Sequence, residues 1–178
     1  MFNLPGAFLQ IVTRLGKAHW EGNGMRLELV RDWMTREVLT VSPDTTVLEA
    51  GRLMVDRTIR RLPVVDADRL IGIVTHGDVR GARASAATGL DIWELSFMLS
   101  RLTVREIMTP NPVTISPDAT IGEAAQSMLK YMIGGLPVVD HQGQLVGIIT
   151  ESDIFRLVAR DWMRSAEEPS EPYAHYNE

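Results

Sequence analysis

The chain contains itself twice. Shifting the sequence by 74 places lays Met34-Thr35 on Met108-Thr109, and 16 of the 33 positions from 34 to 66 are then identical to their counterparts in 108–140. The identities include Ser42-Pro43-Asp44, Thr46, Glu49, Ala50, Met54 and Ile59, and run on through Leu62-Pro63-Val64-Val65-Asp66. One extra residue near Gln142 lengthens the shift to 75, after which Gly72, Ile73, Thr75 and Asp78 match Gly147, Ile148, Thr150 and Asp153. Duplication explains this agreement, so the fold must accommodate two copies of one unit.

Each copy carries the same order of local signals. "VLTVSPD" and "PVTISPD" are β-prone runs closed by a Pro-Asp turn. Thr46-x-x-Glu49 and Thr120-x-x-Glu123 are capping boxes, in which hydroxyl and carboxylate satisfy the free N–H groups of a helix start. Val47, Ala50, Leu53 and Met54 follow the helical period and face a core. "LPVVD" then predicts a buried strand. A polar turn, Ala67-Asp68 or His141-Gln142-Gly143, leads to its hairpin partner "LIGIVT" or "LVGIIT". Asp78 and Asp153 open a second helix. The unit is β-α-β-β-α, and two of them make an α+β protein.

The predicted organisation is an N-terminal extension over residues 1–25, a first repeat over 26–82, a joining segment over 83–103, a second repeat over 104–164 and a tail over 165–178. Residues 1–24 match nothing later in the chain, and Met25 is the more natural start. The joining segment ends in "LDIWELSFMLSRL", whose Ile92, Trp93, Leu95, Phe97, Met98 and Leu99 predict a helix packed on a neighbouring repeat or another subunit. That surplus of apolar surface predicts a homodimer. The tail is acidic, contains proline and lacks periodicity, and is expected to be disordered.

Composition removes several classes of function. With 18 basic and 23 acidic residues, nothing favours nucleic-acid or membrane-surface binding. No apolar run approaches the roughly 20 residues of a membrane span, and no signal cleavage site is apparent. There is no cysteine, so thiolate metal sites and cysteine nucleophiles are excluded, which fits the cytoplasm. The four histidines show no metal-ligand spacing, and no Gly-rich phosphate loop follows a strand. Neither a catalytic residue nor a metal site is expected.

The ordered motifs Met-Thr, Ser-Pro-Asp, Leu-Pro-Val-Val-Asp and Gly-Ile-x-Thr-x-x-Asp, over roughly residues 30–80 and 104–156, resemble a tandem pair of cystathionine-β-synthase (CBS) domains. The chain is similar to stand-alone bacterial CBS pairs of the acetoin-utilisation type. The resemblance implies two repeats packed sheet to sheet about a pseudo-twofold axis, with two clefts that take adenosine-containing ligands. AMP, ADP or ATP would be the usual occupant; S-adenosylmethionine or a dinucleotide is the alternative. It further implies a regulatory role without catalysis, stacking of two modules into a disc-shaped dimer, and an unidentified regulated partner.

The residues themselves leave two readings open. Thr75 with Asp78, and Thr150 with Asp153, are capping boxes by spacing. A carboxylate beside a helix N-terminus also suits a ribose diol near an anion, and the resemblance implies that these aspartates hold ribose. Arg60-Arg61 form a basic pair whose counterparts are Gly134 and Gly135. As plain residues they complement a helix end; the resemblance makes them phosphate ligands, a task suited to the guanidinium fork. Val38, Pro112, Ile59 and Ile133 read as core residues, and by resemblance they wall the adenine. Pro63, Pro137 and His76 complete the candidate ligand contacts. The resemblance also distributes the set: Thr150 and Asp153 share one cleft with Val38, Ile59 and the Arg60-Arg61 turn. Thr75 and Asp78 share the other with Pro112, Ile133 and Gly134. Loss of the basic pair at Gly134-Gly135 favours an opposing reading, an interaction module with vestigial clefts.

Overall fold

The computed structural model describes residues 28–86, 97 and 100–167. The extension, most of the joining segment with Ile92, Trp93, Leu95, Met98 and Leu99, and the end of the tail lie outside the described residues.

Both copies fold to the same series. A one-turn helix α1 (Val30–Trp33) precedes α2 (Val47–Asp56), the hairpin β1 (Arg61–Asp66) and β2 (Arg69–Thr75), and α3 (His76–Ala86). The second half repeats it with α4 (Val104–Ile107), the two-residue β3 (Thr109–Pro110), α5 (Ile121–Tyr131), β4 (Gly135–Val139), β5 (Leu145–Thr150) and α6 (Glu151–Glu167). Both hairpins are antiparallel, with register shifts at the matching positions Val64/Val65 and Val138/Val139. The predicted leading strands shrink to single parallel bridges, Val41 to Val64 and Ile115 to Val138. Proline follows two residues later in each run and has no N–H to continue a ladder.

Helix starts form as the spacing requires. Glu49 accepts from the N–H (3.0 Å) and hydroxyl (2.8 Å) of Thr46, and its own N–H donates to Thr46 Oγ1 (3.2 Å). Thr120 and Glu123 repeat the arrangement. A third Thr-x-x-Glu box escaped the sequence reading: Thr103 donates its N–H and hydroxyl to Glu106 at 2.7 and 2.9 Å. In all three, hydrogen bonds from threonine hold the glutamate below the usual carboxylate range.

The two repeats trade their leading segments. Val104 is fully buried in the core built by Val47, Met54, Leu62, Val64 and Val74, with Ile107 and Met108 packed on it. Val30 and Met34, from the first copy, lie in the core of Met128, Leu136, Val138 and Ile149. The backbone follows: β3 pairs with β2 through Ile73–Thr109 and Gly72–Pro110, while Thr35 bridges Ile148. Glycines make the crossing possible. A Cβ on Gly147 would strike the sulfur of Met34 and come within 3.1 Å of the Thr35 carbonyl, and Gly72 stands in the same relation to Met108 and Thr109. Recurrence of Met-Thr together with Gly-Ile thus has one cause, since each methionine rests on the other copy's glycine.

Candidate functional site

Hairpin register gathers the candidate residues at one end of each sheet. Arg61 lies opposite Thr75, and Gly135 opposite Thr150. The N–H of His76 donates to the Arg60 carbonyl (2.9 Å), and that of Glu151 to the Gly134 carbonyl (3.2 Å). Each Thr-x-x-Asp helix start is therefore stitched to the turn that opens the neighbouring strand. Since Val41 runs parallel to Val64, Val38 three residues earlier lies toward the Arg61 end of β1. The Ile115–Val138 bridge likewise directs Pro112 toward Gly135. Ile59 and Ile133 are half-buried against the first and second cores. Pro63 and Pro137 are buried, and their carbonyls accept from Val41 and Ile115 at 3.1 Å, so in this state they serve the sheets. His76 is exposed.

The two aspartates differ. Asp78 Oδ2 accepts from the N–H and hydroxyl of Thr75, each at 2.7 Å, and the N–H of Asp78 returns a bond to Thr75 Oγ1 at 3.3 Å. Asp153 Oδ2 accepts the corresponding pair from Thr150 at 2.8 Å. Its second oxygen, however, is engaged by the Arg156 guanidinium at 2.5 Å, and Asp153 is only 4% exposed. Both aspartates therefore cap their helices. Arg156 lies outside the candidates read from sequence; its i,i+3 spacing from Asp153 was the available signal.

Arg61 accounts for the glycine pair. Its side chain crosses to the other repeat: a Cβ on Gly135 would lie 3.2 Å from Arg61 Cδ and Nε, and one on Gly134 would collide with its Nη2. The same Gly134 Cβ would lie 2.6 Å from Glu151 Oε2. One repeat thus supplies the arginine and the other the space for it. Glu151 is part of this group. Burial lowers the Arg61 pKa, the Glu151 carboxylate opposes that shift, and neighbouring Arg60 adds to it. A guanidinium this basic nonetheless stays charged at neutral pH.

The assembly offers hydroxyl and carboxylate groups at a helix start, a guanidinium fork, and apolar residues beside them. These suit a ligand that combines an anion, a sugar and a flat apolar part. Among the described residues no cluster of three or more His, Asp or Glu is placed to hold a metal ion, and no helix is long and apolar enough to cross a membrane.

The profile of the CBS domain matches residues 30–85 and 104–160. The paired hairpins define a tandem-repeat module, and the chain belongs to the CBS-domain family. It is 38% identical over 133 residues to a CBS domain-containing protein of Dictyostelium discoideum, covering 74% of this chain and 92% of that one. It is also 39% identical over 123 residues to inosine-5′-monophosphate dehydrogenase of Korarchaeum cryptofilum, covering 69% of this chain but 23% of the enzyme. Among solved structures, a putative acetoin utilization protein of Vibrio cholerae gives a TM-score of 0.65 at 34% identity over 82% of this chain and 99% of that one. The CBS domain pair of protein MJ0100, in complex with 5′-methylthioadenosine and S-adenosylmethionine, gives 0.64 at 31% identity over 76% and 99%. Arabidopsis thaliana CBSX2 in complex with AMP gives 0.63 at 28% identity over 76% and 98%.

Proposed function

We propose that this protein is a cytoplasmic regulatory module that binds an adenosine-containing ligand, AMP, ADP or ATP, between its repeats and acts as a homodimer on a regulated partner. The observation that carries this reading is Arg61, whose guanidinium reaches from the first repeat to the Thr150–Asp153 helix start of the second. A phosphate at that seam would meet the arginine while Asp153 or Asp78 received the ribose hydroxyls and Val38, Ile59, Pro112 and Ile133 walled the base. Support comes from the AMP complex of CBSX2 and the methylthioadenosine and S-adenosylmethionine complex of MJ0100. The cleft holding Thr150, Asp153 and Arg61 is the better phosphate site, since Gly134 offers no second clamp. The role is regulatory and not catalytic: the threonine hydroxyls that meet a carboxylate at the site do so as helix caps.

A thermal-shift panel of AMP, ATP, S-adenosylmethionine and NAD identifies the ligand class, because saturation at about a hundred times Kd adds about 2.7 kcal/mol of stability. Calorimetry on Arg61→Ala then tests the site. AMP affinity should fall by about 1.5–3 kcal/mol, the value of a hydrogen bond to a charged group, with adenosine little changed. Equal losses for both ligands would remove Arg61 from the phosphate site. Asp153→Ala should weaken both, because the ribose is common to them.

A second reading has its own support. Asp153 is closed off by Arg156, and Glu151 faces the cleft beside Arg61, which suits a module whose second-repeat cleft stays empty. Absence of any thermal shift across the panel would favour it.

A further inference from the structure

Asp78 and Asp153 occupy the same place in their repeats but are not equally available. Each uses Oδ2 to accept from the N–H and hydroxyl of the threonine three residues earlier. The other oxygen is where they part. Oδ1 of Asp153 is held by the Arg156 guanidinium at 2.5 Å, across one turn of α6. The residue at the same spacing from Asp78 is Gly81, and among the described residues no side chain donates to Asp78 Oδ1. The Asp153–Arg156 pair is also lopsided. The Asp153 side chain is 5% exposed and that of Arg156 is 71% exposed, so the carboxylate is fixed and the guanidinium has room to swing into water.

We infer that Arg156 is an internal competitor for the sugar of a ligand at Asp153, so that the two clefts take an unphosphorylated nucleoside unequally. This rests on the preceding reading, in which these aspartates receive ribose hydroxyls, and adds which of them is open. A vicinal diol brings two O–H donors to a carboxylate whose Oδ2 is already engaged. At Asp78 it finds Oδ1 without a side-chain donor. At Asp153 it must replace a charge-assisted bond, which is stronger than a neutral hydroxyl can make. Because the displaced guanidinium returns to water, the handicap is that of a partly exposed ion pair and not of a fully buried one. Adenosine therefore fills the Asp78 cleft first. A phosphate shifts the balance in the Asp153 cleft alone, since Arg61 reaches that helix start and its repeat counterpart is Gly135. Arg156 thereby makes the Asp153 cleft depend on the phosphate: the ribose is contested there, and the anion offsets the contest.

Calorimetry of the full chain with adenosine and AMP tests this. Asp153→Ala leaves the Asp78 cleft intact and Asp78→Ala leaves the Asp153 cleft; adenosine should bind the first variant on the order of tenfold more tightly. Adding Arg156→Ala to Asp78→Ala should erase that difference, a gain in affinity that loss of a merely structural arginine would not give. Gly81→Arg runs the experiment in reverse. It sets an arginine at the same i,i+3 spacing from Asp78, and a Cβ at Gly81 meets nothing within 4 Å. In the otherwise unchanged chain it should weaken adenosine at its tighter site on the order of tenfold. Arg156→Ala and Gly81→Arg keep both threonine caps, so they decide the matter even where an aspartate variant fails to fold. With AMP the difference between the clefts should shrink, and Arg61→Ala should widen it again. Adenosine binding that neither Arg156→Ala nor Gly81→Arg alters overturns the competitor and leaves the nucleotide reading standing. Weaker adenosine binding in Arg156→Ala also overturns it, by making the arginine a ligand contact. If neither adenosine nor AMP binds any of these proteins, the nucleotide reading falls with it.

Discussion

Gly134 and Gly147 show how one residue type serves two purposes in the same repeat. A methyl group on Gly147 would meet the Met34 side chain and, behind it, the Thr35 carbonyl, which the bridge to Ile148 holds in place. Backbone cannot yield as a side chain can, so Gly147→Ala should lower the urea-unfolding free energy by about 1–3 kcal/mol, as other overpacked cores do. The atoms nearest to a methyl group on Gly134 would be the far ends of Arg61 and Glu151, both of which can swing away. Gly134→Ala should therefore stay within about 1 kcal/mol of the parent in stability while losing affinity for AMP and keeping it for adenosine. Denaturation curves and calorimetry on the two variants separate these outcomes. Equal losses of stability would show that Gly134, too, is only a packing glycine.

At the scale of elements, three helices begin with a Thr-x-x-Glu box and share its dependence on charge. Glu49, Glu106 and Glu123 each accept from threonine, and those bonds lower their pKa from the ordinary 4.5. A depressed carboxylate contributes stability above its unfolded pKa and loses it as pH falls through the folded value. The protein should accordingly lose stability on acidification below about pH 4.5, and the Glu49→Gln/Glu123→Gln double variant should show a flatter decline. Chemical denaturation across that range measures it. An unaltered slope in the double variant would place the acid sensitivity in other carboxylates. The device is easy to see in sequence because it is local. Arg156, one turn past Asp153, is less so: an exposed arginine at i+3 does not reveal that the carboxylate it meets is buried.

Across the whole molecule, exchange of leading segments joins the repeats into one cooperative body. Val104 completes the first core and Val30 with Met34 completes the second, so neither half contains all of its own interior. A fragment of residues 26–103 should therefore lack a folded near-ultraviolet circular dichroism signal, as should one of residues 100–167, while the full chain unfolds in a single transition. Two separate transitions in the full chain, or a folded fragment, would contradict this. Arg160 adds another cross-link between the chain's two ends. It stacks on Trp33 at 4.5 Å and bonds to Glu28 at 2.9 Å, joining α6 to the segment before α1.

Repetition, periodicity and capping spacing belong to neighbouring residues, so the sequence by itself determined the duplicated unit, its two longer helices with the hairpin between them, and the paired Thr-x-x-Asp helix starts. Tertiary structure alone decided which copy each segment completes. Met34 and Met108 look like members of their own repeats, and only packing reveals that each sits on the other's glycine. The same holds for Arg61. In sequence, Gly134-Gly135 is a missing basic pair; in the fold, it is the space that a long guanidinium side chain occupies from the opposite repeat. The physical reason is that excluded volume acts between residues far apart in the chain, where spacing carries no signal.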